Sequence, residues 1–299
     1  MQVFNGSLVA IVTPMMDSGE VDYDSLKALV DWHYESGTNG VVSVGTTGES
    51  STLNIKEHID VIEKTVKYSQ GRIPVIAGTG GNSTQEAIDL TIESKKLGAD
   101  GALLVTPYYN KPTQEGLLRH YEAVANSVDI PQILYNVPSR TACDLLPATT
   151  RILSEHHNIV GIKEAVDDID RIKDLVRLSK KVENFIVLSG DDPTFFQSMI
   201  HGSQGVISVA ANIVPERISL ICNNILNNNI DEAEILNDNL LSFYNLLFVE
   251  SNPIPVKWML AKMGKINNAI RLPLTELNET YHKDILSKLK ELGTIWIKI

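Results

Sequence analysis

A lysine stands out of place in VGIKEA, Val160 to Ala165, a run whose apolar residues otherwise read as a buried strand. Alternation along a strand puts Ile159, Gly161 and Lys163 on one face, with Val160 and Ile162 on the other. Burial disfavours an ammonium, and a neutral amine attacks carbonyls, so Lys163 is a candidate for imine (Schiff-base) chemistry. The hexapeptide alone fits better a lysine at a strand end, its apolar stem leading the charge out to solvent, since lysines are seldom buried. Partners for the chemistry stand in three other stretches. GTTGE, Gly45 to Glu49, offers two hydroxyls and a glycine-rich backbone that can bind a carboxylate, or else a glycine turn capped by threonine. TPYYNKP, Thr106 to Pro112, holds Tyr108 and Tyr109 between prolines that stiffen the loop. YNVPSRT, Tyr135 to Thr141, joins a tyrosine on the same face as Ile133 to Arg140, whose fork suits a carboxylate unless a surface salt bridge occupies it.

LSGDD, Leu188 to Asp192, adds Gly190, where a ligand can approach the backbone, and two aspartates that read as helix caps. GTGGN, Gly78 to Asn82, lacks the Lys-Ser/Thr of a phosphate loop and fails the dinucleotide spacing, which excludes nucleotide binding. The histidines occur singly or as the pair His156 and His157, with no carboxylate pattern for a metal. No metal and no separate cofactor are expected, only a covalent imine on Lys163. Ile133 and Val206 are the expected apolar neighbours of that lysine.

Eight apolar runs must position these groups: Ser7 to Thr13, Gly40 to Val44, Pro74 to Gly78, Gly101 to Thr106, Gln132 to Asn136, Ile159 to Lys163, Phe185 to Gly190 and Gly205 to Val209. Amphipathic stretches such as Ser25 to Ser36, Ile55 to Tyr68, Ser83 to Leu97 and Thr113 to Ser127 separate them. Short continuous apolar strands with crossover helices imply a parallel sheet covered on both faces, and this many units imply an α/β fold, a closed (β/α)₈ TIM barrel. Each stretch singled out above ends a run, where barrel enzymes place their chemistry. Further helical patterns, Pro215 to Asn227, Asp231 to Glu250, Pro255 to Met263 and Glu279 to Leu292, form a C-terminal helical appendage. The expected division is residues 1–224 for the barrel and 225–299 for the helical part.

Of the 299 residues, 43% are hydrophobic and 21% charged, the balance of a globular protein. The net charge of −11 repels polyphosphate backbones and acidic membranes, so neither nucleic acid nor membrane is an expected partner. An anionic small substrate would need local cations, and Lys163 and Arg140 supply them. Cys143 and Cys222 fit neither a disulfide framework nor a metal spacing and read as reduced thiols. The apolar run Leu8 to Val12 lacks a basic leader, and no stretch is long enough to span a bilayer, so a cytoplasmic location is expected.

Taken together, GSLVAIVTPM, GTTGE, RIPVIAGTG, VTPYYN, QILYNVPSRT, GIKEA, LSGDD, GVISV and FVESNPIPVKW resemble the dihydrodipicolinate synthase family of class I pyruvate aldolases, over nearly the whole chain. The order and spacing of GTTGE, YNVPSRT and GIKEA make the likeness specific. The resemblance implies condensation of pyruvate with L-aspartate 4-semialdehyde to 4-hydroxy-tetrahydrodipicolinate and water, the first committed step of lysine and diaminopimelate synthesis. It makes Lys163 the Schiff-base lysine and Tyr135, Thr47 and Tyr109 a proton relay, Tyr109 reaching into a neighbouring subunit. It assigns the pyruvate carboxylate to Thr46 and Thr47, that of the aldehyde to Arg140, and the pocket lining to Gly190 and Ile207.

The resemblance further implies a homotetramer built as a dimer of dimers, and a site for L-lysine at Ser50, Ser51, Ile55, His58, Asn82, Glu86 and Tyr108. Ile55 departs from the histidine of feedback-sensitive members, which implies weaker inhibition. Related lyases of longer sugar acids share the lysine and tyrosine, but they lack an arginine at the place of Arg140. A barrel that only senses pyruvate or lysine is the alternative outside enzymology, and the intact lysine, tyrosine and threonine set speaks against it.

Overall fold

The computed structural model describes residues 4–295. The parallel strands β1 (Gly6–Ala10), β2 (Gly40–Ser43), β3 (Val75–Gly78), β4 (Gly101–Val105), β5 (Gln132–Asn136), β6 (Ile159–Glu164), β7 (Ile186–Ser189) and β8 (Gly205–Ser208) close into a barrel in chain order. β8 pairs with β1 to complete it. Each expected run overlaps its strand. Side chains alternate as the pleat requires, except at the start of β6, where a register shift against β5 turns Val160 into the interior and Ile159 to the shell, the reverse of the faces that strict alternation gives them. Leu8, Ala10, Val42, Leu103, Ile133, Tyr135 and Ile207 fill the interior, whereas Val9, Val41, Leu104, Leu134, Ile162 and Val206 pack under the helices. Val206 therefore lies on the shell side, away from Lys163, and its neighbour Ile207 is the interior residue.

The helices Tyr23–Glu35, Ile55–Ser69, Thr84–Lys96 and Gln114–Ser127 fall where the apolar spacing places them. Asp22, Asn54, Ser83 and Thr113 cap them, each side chain accepting from a backbone N–H of the first turn. Asn54 and Glu57 complete a reciprocal capping box.

After β8 come Pro215–Leu226, Ile230–Asp238, Leu241–Leu246, Ile254–Lys262 and His282–Glu291. The unbroken helix expected over Asp231 to Glu250 is thus two helices. Asn239 divides them: its side-chain Nδ2 donates to the Ile235 carbonyl at 2.8 Å, taking the acceptor that a continuing helix would use. The cluster that holds Val9 and Val12 also holds Leu240, Phe243, Trp258 and Ile285, so appendage and barrel share a core. Residue 224, the expected division, lies inside Pro215–Leu226. Cys143 and Cys222 are separate, buried thiols. Among the described residues no helix is long and apolar enough to cross a membrane.

Candidate active site

β6 is buried along its whole length, and Lys163 is only 6% exposed. Its register partner on β5 is Tyr135, and the Nζ stands over the tyrosine ring, 4.0 Å from its centroid. The lysine therefore stays inside the barrel instead of leading out to solvent. Gly190 makes its room: a Cβ there would stand 2.8 Å from Lys163 Cε and 2.9 Å from Ala165 Cβ. Lys163 lines a cavity of about 180 Å³ together with Thr46, Thr47, Tyr135, Arg140, Gly190 and Asp191. Phe248 and Asn252 of the appendage also line it. Ile207 is buried in the barrel interior.

The two threonines come from a strained turn. Val44 has φ 57°, a conformation that costs a β-branched residue, and Glu49 has φ 56°. A Cβ at Gly78 would collide with the Val44 carbonyl and one at Gly80 with the Val105 backbone, so the first two glycines of GTGGN are there for close packing, Gly78 against this turn and Gly80 against β4. Thr47 Oγ1 accepts from Asn252 Nδ2 at 2.9 Å, which leaves the hydroxyl proton of Thr47 to be donated elsewhere. Thr46 borders both this cavity and a second one. Glu49, wholly buried, pairs with the equally buried Lys257. Burial pulls Lys257 below the usual lysine range, and Glu49 opposes that shift. Arg271 donates its backbone N–H to Glu49 at 3.3 Å and its guanidinium fork to Glu57 at 2.6 and 2.8 Å. The appendage therefore grips the threonine turn at three points.

The strand ends beside Lys163 are locked likewise. Glu164 faces outward, accepts from Asn136 Nδ2 at 3.0 Å and pairs with Arg171 at 2.8 Å, and Arg171 also clasps Asp144 at 2.8 Å. Burial pushes the Glu164 carboxyl up, and Arg171 is the chief opposing influence. The aspartates of LSGDD are not helix caps: Phe195–Ile200 begins without a side-chain cap. Asp192 instead reaches across to β8, accepting from Ser208 Oγ and from the backbone N–H groups of Val209 (2.9 Å) and Ala210 (3.0 Å). Its burial raises the carboxyl to about 6, against the pull of those donors. Asp191 lines the cavity.

Arg140 sits in the short helix Pro138–Thr141 and lines both cavities. Among the described residues it pairs with no carboxylate, which sets the surface salt bridge aside. Tyr109 is 90% exposed with φ 74° and stays outside the cavity of its own chain. The second cavity, about 300 Å³, is lined by Ser50, Ser51, His58, Glu86 and Tyr108. His58 Nε2 lies 2.7 Å from the Gly78 carbonyl, and burial lowers the imidazole below its usual range. Burial raises the Tyr108 phenol, and Glu86 adds to that shift. Ile55 lies in an adjoining depression that also includes Glu86. Asn82 is half-buried, and its carbonyl accepts from Asn110.

Asn252, Lys257, Arg271, Glu164 and Arg171 escape the sequence reading. A signal existed for Lys257: it interrupts the apolar run IPVKWML just as Lys163 interrupts VGIKEA.

A model of the dihydrodipicolinate synthetase family matches residues 3–292. The 4-hydroxy-tetrahydrodipicolinate synthase of Pseudomonas savastanoi pv. phaseolicola is 53% identical over 290 residues, covering 97% of this chain and 99% of the relative. The chloride-inhibited dihydrodipicolinate synthase of Acinetobacter baumannii, solved with pyruvate, superposes with a TM-score of 0.95 at 52% identity, covering 97% of this chain and 99% of that one. The lysine-bound enzyme of Cyanidioschyzon merolae superposes with a TM-score of 0.94 at 35% identity, covering 98% of this chain and 100% of that one.

Proposed function

The chain belongs to the dihydrodipicolinate synthetase family and performs its reaction, the condensation of pyruvate with L-aspartate 4-semialdehyde to 4-hydroxy-tetrahydrodipicolinate; we propose that Lys163 carries that reaction as a covalent imine. The observation that carries the proposal is the lysine itself, enclosed in a barrel interior beside Tyr135 and opening onto a cavity with two threonines and an arginine. Its amine adds to the pyruvate ketone and water leaves, giving the imine. Loss of a methyl proton gives an enamine, whose carbon attacks the aldehyde. The amine of the aldehyde substrate then attacks the imine carbon, closes the ring and releases Lys163.

Thr47, its oxygen already bonded to Asn252, directs its proton to the pyruvate carboxylate. For the proton relay we assign Thr46 in preference to Thr47, because Thr46 is the hydroxyl that borders both the Lys163 cavity and the cavity of Tyr108. Tyr135 is one end of that relay. Tyr109, outside its own cavity, completes the relay of a second copy in a dimer-of-dimers tetramer. Arg140, free of carboxylate partners among the described residues, binds the aldehyde substrate's carboxylate. L-Lysine is the proposed effector of the second cavity, where Glu86 offers a partner to an ammonium and Tyr108 a donor to a carboxylate.

A coupled assay that offers pyruvate with aspartate semialdehyde or with a longer sugar aldehyde tests the substrate choice. Turnover of the first and not the second is expected; the reverse would overturn it.

A further inference from the structure

We propose that Asp191 binds the α-ammonium of the aldehyde substrate and, together with Arg140, selects an amino aldehyde of one hand. The inference rests on the reading above that aspartate semialdehyde is the second substrate. That molecule carries a carboxylate, an ammonium and an aldehyde on four carbons. Arg140 answers the carboxylate and the enamine answers the aldehyde, while the ammonium has no partner in the roles assigned so far.

Among the described residues lining the cavity, Asp191 is the one carboxylate. It is half-buried, so a charge pair formed there is less screened than one on the surface. The Thr194 hydroxyl donates to one carboxylate oxygen at 2.7 Å and fixes the side chain. Gly190, the preceding residue, packs on the Lys163 stem, which puts Asp191 on the lysine's side of the cavity. Burial raises the Asp191 carboxyl; the Thr194 hydrogen bonds lower it, the charge of Asp167 raises it and that of Lys163 lowers it. The charge of Lys163 therefore reaches Asp191.

The position suits the chemistry that follows carbon–carbon bond formation. The nitrogen held by Asp191, once it has passed a proton to that carboxylate and become a free amine, is the atom that must reach the imine carbon to close the ring, and that carbon is bonded to the Lys163 nitrogen that then leaves. Holding it there shortens the search for the ring-closing geometry. Carboxylate, ammonium and aldehyde each fixed to a separate partner also define one configuration at the α-carbon. A purely structural Asp191, serving only the turn after β7, would do none of this.

The test compares the second-order rate constant for consumption of L-aspartate semialdehyde by pyruvate-loaded enzyme in a single turnover, which reads carbon–carbon bond formation before ring closure, with that for succinate semialdehyde, the same chain without the amine, in the unmodified enzyme and in Asp191→Asn. A charge-assisted hydrogen bond corresponds to a loss of roughly ten- to hundredfold. Asp191→Asn is expected to lose that factor with aspartate semialdehyde and to leave succinate semialdehyde within about twofold, so that the preference collapses. Equal losses with both aldehydes, or an unchanged preference, would overturn the subsite. Pyruvate with borohydride is run beside it: loss of the Lys163 adduct in unmodified enzyme would count against the imine, whereas a normal adduct with unchanged preference counts against Asp191 alone. Should Asp191→Asn fail to fold, the unmodified enzyme still decides in the same single turnover: equal rate constants for the two aldehydes would contradict an ammonium subsite, and faster consumption of the amino aldehyde would support it.

Discussion

Tyr135 and Lys163 are register partners on adjacent strands, and the lysine Nζ lies 4.0 Å from the tyrosine ring centroid. Parallel partners point to the same face, so the barrel brings the proposed nucleophile and the proposed proton carrier together by pairing alone. Gly190, directly after the next strand, leaves the space the lysine stem fills. The remaining groups are delivered by loops that other residues hold in place.

Arg140→Ala should impair handling of the aldehyde more than imine formation. Removing a charge-assisted contact costs about 1.5–3 kcal/mol, a loss of roughly ten- to hundredfold in kcat/KM for aspartate semialdehyde. Steady-state kinetics with each substrate varied in turn separates the effects. A fall confined to pyruvate would contradict the assignment.

Tyr109→Phe should be nearly inactive, and so should Lys163→Ala. Mixed and reassembled, the two should recover activity, because a subunit with an intact lysine then receives a tyrosine from its neighbour. No recovery in verified mixed oligomers would contradict action across an interface.

The grip of the appendage on the threonine turn predicts a stability effect of its own. Lys257→Met leaves Glu49 buried without its partner and should cost about 3–5 kcal/mol, read as a lowered midpoint in urea. Adding Glu49→Gln should return much of the loss, since the uncompensated charge is gone. A double variant no more stable than Lys257→Met would show that the cost lies elsewhere.

Much of this was legible in the sequence. Strands announce themselves as apolar runs, and a lysine or tyrosine within one is conspicuous, so alternation near the strand ends placed Lys163 and Tyr135 on the barrel face, although the register shift at the start of β6 reverses the faces it gave Ile159 and Val160. The grip on the threonine turn was not legible, because its partners are distant: Thr47 and Asn252 stand 205 positions apart. Nothing local marks Asn252 as a partner of Thr47. Asp191 and Asp192 failed for another reason. Aspartates before a helix are ordinarily caps, and only the pairing of β7 beside β8 shows that one lines the cavity and the other holds the neighbouring loop.

Lysine should inhibit, more weakly than in relatives with a histidine at the place of Ile55. Ile55→His should strengthen the effect and Glu86→Ala abolish it, since Glu86 is the carboxylate of the second cavity. Activity against rising lysine decides, and a curve flat to tens of millimolar would show a cavity without a switch.

The central claim is that Lys163 forms the imine, and trapping it is the most direct measurement. Pyruvate and borohydride are added to the enzyme, and peptide mass spectrometry locates the adduct. The account predicts one reduced adduct, on Lys163, and none in Lys163→Arg, whose guanidinium stays protonated and cannot attack a carbonyl. An adduct on other lysines with Lys163 unmodified, or full activity in Lys163→Arg, would contradict it.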